Sequence, residues 1–271
     1  MRACWKGTAV ALVLLAGALV GPAALRAQDV GEAPPAPTGP VTKLGIGIEY
    51  FSRTLSWDND LRSSPLTAAY GVVKLDVELV RGFTVGACLG YGLSNFNGLV
   101  FRGLPFSLDY EAGSSGGFLA GVGLEATGIK AGDFEIGVMG RYVLSLGGTQ
   151  TLSVTGLNSS GSAEAKATWM RVQAGPVVRY TGYEDFTPYL ALTYDRLWGT
   201  FTMTETVQEL NGSEDKKIAG AGSIGAAFGV LYEPFPNFRL RGEVGAIPYK
   251  KIVGSGLGFD LGGSLNAVLS F

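Results

Sequence analysis

The stretch GLGFDLGGSLNAVLSF, residues 256–271, separates into two sets when every second residue is read. One set is apolar apart from one glycine: Leu257, Phe259, Leu261, Gly263, Leu265, Ala267, Leu269 and Phe271. The other set is mostly polar or small: Gly258, Asp260, Gly262, Ser264, Asn266, Val268 and Ser270. Because successive side chains of a β-strand point to opposite faces, this alternation predicts a strand with one apolar and one polar face. Its length is about that of a tilted strand that crosses a bilayer.

The same alternation runs through most of the chain upstream of this stretch. It predicts ten strands, at about residues 43–55, 66–80, 83–95, 116–129, 133–146, 166–181, 186–203, 217–232, 237–249 and 257–271. Short connections alternate with long loops, at 56–65, 96–115, 147–165, 204–216 and 250–256. Residues 98–110 and 150–156 either extend strands or form hairpins, so eight and twelve strands are the alternatives to ten.

The hydrophobicity of the chain is spread over these alternating segments. The mean hydropathy is +0.25 and only 16% of the residues are charged. The longest uncharged apolar run after the N-terminal segment, Ile218–Tyr232, has 15 residues including four glycines, fewer than the roughly 20 that a spanning helix needs. Lipid offers no hydrogen bonds to a backbone, so a sheet crosses it only when closed. The pattern therefore predicts an all-β fold, a transmembrane antiparallel up-and-down β-barrel of about ten strands.

Aromatic residues mark both expected membrane interfaces. Each short turn leads into a phenylalanine, and these residues form one girdle with three others: Phe83, Phe134, Phe186, Phe238, Tyr180, Tyr232 and Phe271. The second girdle consists of Tyr50, Tyr91, Tyr142, Tyr194 and Trp198. With an even number of strands, both ends of the barrel lie on the short-turn side, which is the periplasmic side in barrels of this kind.

The N-terminal segment has the three parts of a secretory signal peptide. Arg2 and Lys6 provide the positive charge, residues 9–20 the apolar core, and Ala27 the small residue before the expected cleavage site. An uncleaved helical anchor is the alternative, and Gly21-Pro22 argues against it. Cleavage removes three bases and no acid, so the net charge changes from −2 to −5. This charge offers no basic surface for nucleic acid.

The chain therefore divides into a signal peptide (1–27), a tether (28–42) and a barrel (43–271). The tether, QDVGEAPPAPTGPVT, is rich in proline and is expected to be extended in the periplasm. Of the two cysteines, Cys4 lies in the signal peptide, so Cys88 has no partner for an internal disulfide.

The signal peptide, the alternating strands and the final strand with Leu265, Ala267, Leu269 and Phe271 are similar to those of bacterial outer-membrane β-barrel proteins of the small, OmpA-like class. The resemblance covers about residues 43–271. It implies an exported protein in the outer membrane of a Gram-negative-type envelope, with outer-membrane lipid around it. It also implies that the last strand is the signal for the barrel-assembly machinery, recognised by strand addition. It is specific for the architecture and nearly silent on activity.

The polar faces of the predicted strands carry fifteen charged residues. The acids are Glu49, Asp76, Glu78, Glu125, Glu135, Asp195, Glu243 and Asp260. The bases are Arg53, Lys74, Arg141, Arg171, Arg179, Arg239 and Arg241. Because lone buried charges are costly, nearly equal numbers of both signs in a narrow lumen predict an ion-pair network. Arg171 and Asp195, in one hairpin, are the strongest candidates for a direct pair.

Small residues are expected opposite large ones, which fills the lumen. A symmetric turn places Gly229 opposite Arg241 and Ala227 opposite Glu243, and the hairpin of predicted strands 66–80 and 83–95 likewise places Gly86 opposite Asp76 and Gly92 opposite Tyr70. We therefore expect a lumen largely plugged by charged side chains, with an open channel as the alternative.

No pattern in the chain predicts an enzyme. The sequence has no histidine, whereas omptin proteases, lipases and acyltransferases with barrel folds resemble one another in relying on an active-site histidine, and proton transfer by an imidazole is therefore unavailable. Asp76 and Glu78 share a face, as paired acid–base carboxylates do, but Lys74 beside them favours an ion pair.

Two further motifs predict no cofactor and no metal site. Gly220-Ala-Gly222-Ser-Ile-Gly225 matches a dinucleotide fingerprint, but it lies within an alternating strand instead of between a strand and a helix. Trp57-Asp58-Asn59-Asp60 is acidic but lacks the glycine and closing glutamate of a calcium loop.

The leading hypothesis is a non-enzymatic outer-membrane barrel with a structural role or a surface-interaction role through its extracellular loops. A narrow porin-like channel for small solutes is the alternative, and the two differ in whether the lumen charges pair with each other or line a water path. A secreted soluble β-sandwich is a third hypothesis, which requires the apolar faces to stack on one another. No extracellular partner is predicted.

Overall fold

The computed structural model describes residues 40–58, 60–104, 108–110, 114–154, 161–207, 209–218, 222–250 and 257–271. The predicted signal peptide, and the predicted tether as far as residue 39, lie outside this range. The first strand begins at Val41, so the last two residues of the predicted tether belong to the barrel. None of the described segments is a helix that is long and apolar enough to cross a membrane.

The described residues form fourteen strands. In chain order they are β1 (Val41–Trp57), β2 (Asp60–Val80), β3 (Phe83–Phe96), β4 (Leu99–Phe101), β5 (Leu108–Tyr110), β6 (Ser115–Ala131), β7 (Phe134–Gly147), β8 (Gln150–Val154), β9 (Gly161–Tyr180), β10 (Phe186–Val207), β11 (Leu210–Lys217), β12 (Ser223–Phe235), β13 (Phe238–Lys250) and β14 (Leu257–Ser270).

Ten of these strands are paired on both sides and form the barrel. They are β1, β2, β3, β6, β7, β9, β10, β12, β13 and β14. Each pairs antiparallel with the next along the chain, and β14 pairs with β1 from Ser270 opposite Lys43 to Gly262 opposite Phe51. The predicted up-and-down fold with about ten strands is confirmed. Pairing on both sides gives ladder partners to the backbone groups, as crossing a bilayer requires.

The four short strands lie beyond the ring at its long-loop end. β8 pairs with the first residues of β9, β11 pairs with the last residues of β10, and β4 and β5 form a separate hairpin. The predicted strand 217–232 was wrong at its start, because residues 210–217 fold back along β10 and the ring strand β12 begins at Ser223. β11 carries polar residues on both faces, so apolar alternation could not reveal it.

The outer face of the ring is apolar and open. Ile46, Leu89, Phe118 and Ile224 are 65%, 69%, 70% and 69% exposed. Stacking of two sheets in a soluble sandwich would bury such side chains, so the exposed band fits a membrane barrel and contradicts the sandwich hypothesis.

The short turns lie together at the opposite end of the barrel. Gly82 and Gly132 occupy them with φ of 80° and 61°, a conformation that favours glycine. The ring of Phe134 lies 5.2 Å from that of Tyr180, so these two members of the predicted girdle meet at the turn end. Val41 and Phe271 lie at this end too, because the backbone N–H of Phe271 donates a hydrogen bond to the carbonyl of Thr42.

Candidate functional site: the interior of the barrel

The register of the strands sets small residues against large ones inside the barrel. Gly86 lies opposite Asp76 and Gly92 opposite Tyr70, as predicted. The expected pairing of Gly229 with Arg241 was wrong, since Gly229 lies opposite Glu243 and Ala227 lies opposite Gly245. The cause is that β12 continues to Phe235, which lies opposite Phe238, so the turn is centred later in the chain than the prediction placed it.

A first cluster of charges lies in the turn-side half of the lumen, around Glu125. One carboxylate oxygen of Glu125 pairs with Arg179, and the other lies 3.2 Å from Nη1 of Arg241. Arg179 also reaches Glu135 at 3.4 Å. Glu125 and Arg241 keep 33% and 26% of their side-chain surface exposed although they point inwards, so the turn end of the lumen is open to solvent.

Tyr189 links this cluster to β13. Its hydroxyl donates a hydrogen bond of 2.6 Å to Glu243 and accepts one of 2.8 Å from Nε of Arg241. Arg241 also pairs with Glu243 at 3.2 Å, and its guanidinium lies 4.9 Å from the centre of the Tyr189 ring. Tyr189 was not among the predicted lumen residues, although its position in the alternation of β10 is that of the inward Asp195.

A second cluster lies deeper, around Glu49 on β1. Glu49 pairs with Lys74 at 2.7 Å and with Arg141, and it accepts a hydrogen bond of 3.0 Å from the hydroxyl of Tyr70. Glu49 is buried. Two cations and one phenol therefore compensate one buried carboxylate, which is the condition for keeping such a charge ionised in the interior.

A third cluster is the most deeply buried and joins three parts of the ring. Arg171 holds Asp195 through Nη2 at 2.6 Å and through a hydrogen bond of 2.8 Å from Nε, so the pair expected from the sequence is present. Arg53 lies 3.7 Å from both Asp195 and Asp260. Asp260 also accepts hydrogen bonds of 2.9 Å from the backbone and the hydroxyl of Thr54.

The remaining members of the predicted charge set lie apart from these clusters. Glu78 pairs with Lys43 at 2.7 Å, and Arg239 pairs with Glu233 near a short turn. Asp76 occupies the space that the absent side chain of Gly86 leaves, where a Cβ would collide with its carboxylate. Lys43 and Glu233 were not in the predicted set, although the alternation of β1 places Lys43 on the inward face.

The loop-side half of the lumen is closed by apolar side chains, which the sequence analysis did not identify. Phe51 packs edge-to-face on Trp169, with ring centres 5.3 Å apart, and Phe201 contacts Phe96 and Phe101 at 5.2 and 5.7 Å. All five are at most 2% exposed. Further members of this apolar plug include Leu55, Trp57, Leu66, Ala163, Ala165, Ala167, Leu197 and Met203. Their alternation with outward polar residues is the signal in the sequence that indicates this plug.

The hairpin of β4 and β5 covers the plug from above. Its residues Leu99 and Phe101, and Leu104 just after them, are buried against the plug. The backbone N–H of Gly103 donates a hydrogen bond of 2.6 Å to Glu214 on β11, which fastens the hairpin to the neighbouring extension of the sheet. We call residues 97–104 together with β5 the lid.

A cavity of about 60 Å³ separates the plug from the turn-side charges. Its wall includes Arg141, Arg171, Glu243 and Asp260, with Phe51 on the side of the plug. Nη2 of Arg141 and Oδ2 of Asp260 are buried without a hydrogen-bond partner among the described residues. A polar cavity of this size holds a few water molecules, which would satisfy both atoms.

The charged side chains of the three clusters form ion pairs with one another, and those of the described residues show no arrangement that would bind a metal. Among the described residues, no three acidic, cysteine or histidine side chains converge as metal ligands do. Gly220 and Ala221 of the dinucleotide-like motif, and Asn59 of the acidic loop, lie outside the described residues, so the structure does not test these motifs.

Comparison with solved structures finds other membrane barrels. The outer membrane protease OmpT from Escherichia coli aligns over 87% of this chain and 97% of its own, with 12% identity and a TM-score of 0.47. The translocator domain of the autotransporter NalP from Neisseria meningitidis aligns over 88% of this chain and 90% of its own, with 14% identity and a TM-score of 0.48. An outer membrane channel from Pseudomonas putida F1 aligns over 90% of this chain and 100% of its own, with 14% identity and a TM-score of 0.36.

No family model matches this sequence. No curated protein is similar to it in sequence either. The structural neighbours include a protease, a translocator and a channel, and at these identities and TM-scores the likeness carries no argument about activity. What the chain itself presents is a closed sheet with an apolar exterior, an ion-paired turn side and an apolar plug.

Proposed function

We propose that this chain is an integral outer-membrane β-barrel protein without catalytic activity, with a closed lumen and a structural or surface-interaction role carried by its extracellular loops. The apolar plug is the observation that carries this proposal. Five aromatic side chains, each at most 2% exposed, fill the loop-side half of the lumen. Water and ions avoid a dry apolar constriction, so such a layer closes a pore even where the barrel wall is wide.

The ion-paired half of the lumen supports the same proposal. Asp195 has no exposed surface and faces both Arg171 and Arg53. A selectivity filter needs charges that are free to interact with passing ions, whereas these are engaged with each other. In this proposal the charge plug expected from the sequence forms one half of the closure and the apolar plug forms the other half.

The absence of catalysis is supported by the composition. A chain without histidine lacks the side chain that most often moves protons near neutral pH. Its buried carboxylates, Glu49 and Asp195, are each engaged by two cations, so neither is free to act on a substrate.

A narrow channel is the second candidate, and the polar cavity favours it. The cavity lies between the plug and the turn-side charges, whose side chains are partly exposed, so water can reach far into the barrel from the turn side. Conduction would require the plug and the lid to move aside.

Assembly through the last strand is part of the proposal. Leu265, Leu269 and Phe271 are exposed on the outer face of β14, and Ala267 shares their parity. β14 pairs with both β13 and β1, so its pairing with β1 is the contact that closes the ring. We propose that the assembly machinery binds this strand before β1 replaces it.

Ion conductance of the refolded full chain in a planar lipid bilayer tests the closed lumen. We expect a silent bilayer when insertion is confirmed separately by protection of the strands from protease. Discrete and reproducible conductance steps would contradict the closed lumen and support the narrow channel.

A further inference from the structure

The cavity between the plug and the turn-side charges contains groups of both signs with unused hydrogen-bonding capacity. Nη1 of Arg141 pairs with Glu49, but its Nη2 is buried without a hydrogen-bond partner among the described residues. Oδ1 of Asp260 accepts both hydrogen bonds from Thr54, whereas its buried Oδ2 accepts none from the described residues and lies 3.7 Å from Nη1 of Arg53. Arg141 and Asp260 both line the cavity. The cavity therefore offers one cationic donor and one anionic acceptor to its contents.

The charges around the cavity balance, which indicates the kind of molecule that fits. With Glu243 counted in the first cluster, the three clusters contain six acids and six bases. A bound anion or cation would add a charge that this network does not compensate, and burying such a charge is costly. A molecule with an anionic and a cationic end keeps the balance and pairs with both Arg141 and Asp260.

The rest of the wall suits a small polar molecule. Gln173 lies opposite Arg141 on the neighbouring strand, and Thr193 and Ser264 line the same cavity. Amide and hydroxyl groups both donate and accept hydrogen bonds, so they can contact either end of such a molecule. The room itself comes from small residues, since Ala227 lies opposite Gly245 in this wall.

The volume of the cavity limits the size of the molecule. The cavity measures about 60 Å³. Because a buried water occupies about 10–15 Å³ of such a volume, it holds about four to six waters, or a molecule with about as many non-hydrogen atoms. Glycine and β-alanine are of this size.

The way into the cavity is from the turn side. Glu125 and Arg241 are partly exposed there, so the lumen is open to solvent at that end. On the loop side the buried rings of Phe51 and Trp169 close the lumen. A molecule in the cavity therefore enters and leaves past the turn-side charges.

From these observations we infer that the cavity binds a small zwitterion, a short aliphatic molecule with an ammonium group at one end and a carboxylate at the other. Arg141 binds the carboxylate, and Asp260 binds the ammonium group. The zwitterion displaces the water that otherwise satisfies both side chains. This inference goes beyond the proposed function, because a bound ligand is compatible with a closed lumen and with a narrow channel.

Calorimetric titration of the folded full chain in a non-ionic detergent tests the ligand class. The probes are glycine, β-alanine and 4-aminobutyrate, which differ in the distance between their two charges, and propionate and ethylammonium, which carry one charge each. We expect at least one zwitterion to bind about tenfold more tightly than either singly charged compound, since it makes charge-assisted hydrogen bonds at both ends. Binding of propionate as tight as that of the zwitterions, or no binding of any zwitterion, overturns the inference.

Two glycine variants of β13 test whether the cavity is the site. Gly245→Val fills the cavity and keeps every charge, and a Cβ at this position meets no atom closer than 3.4 Å. Gly242→Val is the matched control, because a Cβ there meets nothing within 4 Å. We expect Gly245→Val to weaken zwitterion binding at least tenfold and Gly242→Val to bind like the wild type. Equal affinities of the wild type and both variants overturn the inference.

Asp260→Asn tests the role of the acidic end of the site. The ammonium group loses its charged partner, whereas Arg141 still binds the carboxylate. We expect the affinity for the zwitterion to fall about tenfold and the affinity for propionate not to fall, a difference that a merely structural role of Asp260 would not produce. Unchanged zwitterion affinity of this variant, with the strand content of the wild type by circular dichroism, contradicts the inference.

Ion conductance of the wild type is recorded in parallel. Conductance steps contradict the closed lumen and leave the site in place, whereas a silent bilayer together with no zwitterion binding contradicts this inference alone.

Discussion

At the scale of single residues, the interior depends on charges that compensate one another in a space with little water. Asp195 is the centre of the most buried cluster, with Arg171 and Arg53 on either side. Its removal would leave two guanidinium groups with one fewer counter-charge. The cost arises from those groups, since leaving a buried charge unpaired is more unfavourable than the pair itself is favourable.

We expect Asp195→Asn to lower the free energy of unfolding by about 3–5 kcal/mol. Unfolding by urea in lipid vesicles, followed by the loss of strand signal, measures the change. Glu233→Gln is the matched control, because its pair with Arg239 is largely exposed and contributes about 0–1 kcal/mol.

Equal effects of Asp195→Asn and Glu233→Gln would show that the buried cluster is not a special determinant of stability. Replacing both Arg171 and Asp195 by apolar residues of similar size should lower the free energy of unfolding less than Asp195→Asn alone. In the double variant Arg171 is absent, and Arg53 keeps Asp260 as a counter-charge.

At the scale of elements, the lid is attached to the barrel by a few buried side chains. Phe101 has no exposed surface, contacts Phe201 and lies 5.6 Å from the ammonium of Lys216. The adjacent Arg102 is exposed. Phe101 is therefore one of the contacts that hold the lid, with Leu99, Leu104 and Gly103, whereas the ring strands are held by backbone ladders on both sides.

Phe101→Ala should release the lid without unfolding the ring. We expect faster cleavage within residues 97–114 by a protease added to vesicles that contain the folded protein, with unchanged strand content by circular dichroism. Arg102→Ala is the control and should be cleaved at the wild-type rate. If Phe101→Ala unfolded the whole barrel, the lid would be part of the cooperative unit of the ring.

At the scale of the whole molecule, the lumen is asymmetric along its axis. The turn-side half keeps partly exposed charges and a cavity, and the loop-side half is dry and apolar. Small polar molecules should therefore enter from the turn side and stop at the level of Phe51, where Arg171 stacks on the ring at 4.4 Å.

Two cysteine variants on a Cys88→Ala background test this asymmetry. Met139→Cys lies on the cavity wall and should react with a small membrane-impermeant thiol reagent from the turn side. Ala167→Cys lies in the plug and should react from neither side. Labelling of Ala167→Cys from the loop side would contradict the seal formed by the plug and the lid.

The sequence alone determined the architecture. A period of two over ten segments predicted the barrel, because a sheet crosses lipid only when it is closed, and the exposure of Ile46 and Ile48 beside the buried Glu49 then contradicted the sandwich that the sequence had left open. The partners of Asp76 and Tyr70 in the hairpin of β2 and β3 were also predicted correctly, and they depend on an irregularity of the ladder between Glu78 and Val80.

Only the tertiary structure decided which inward residues meet. Asp195 and Asp260 are far apart in sequence and share Arg53 because closure of the ring brings β10, β14 and β1 around one axis. The shift near Tyr232 and the folding back of β11 along β10 depend on local turn geometry that carries no periodic signal. The same holds for the plug. Alternation places Phe51, Trp169 and Phe201 inside, but packing across the lumen, which depends on how the ring closes, decides that they fill it.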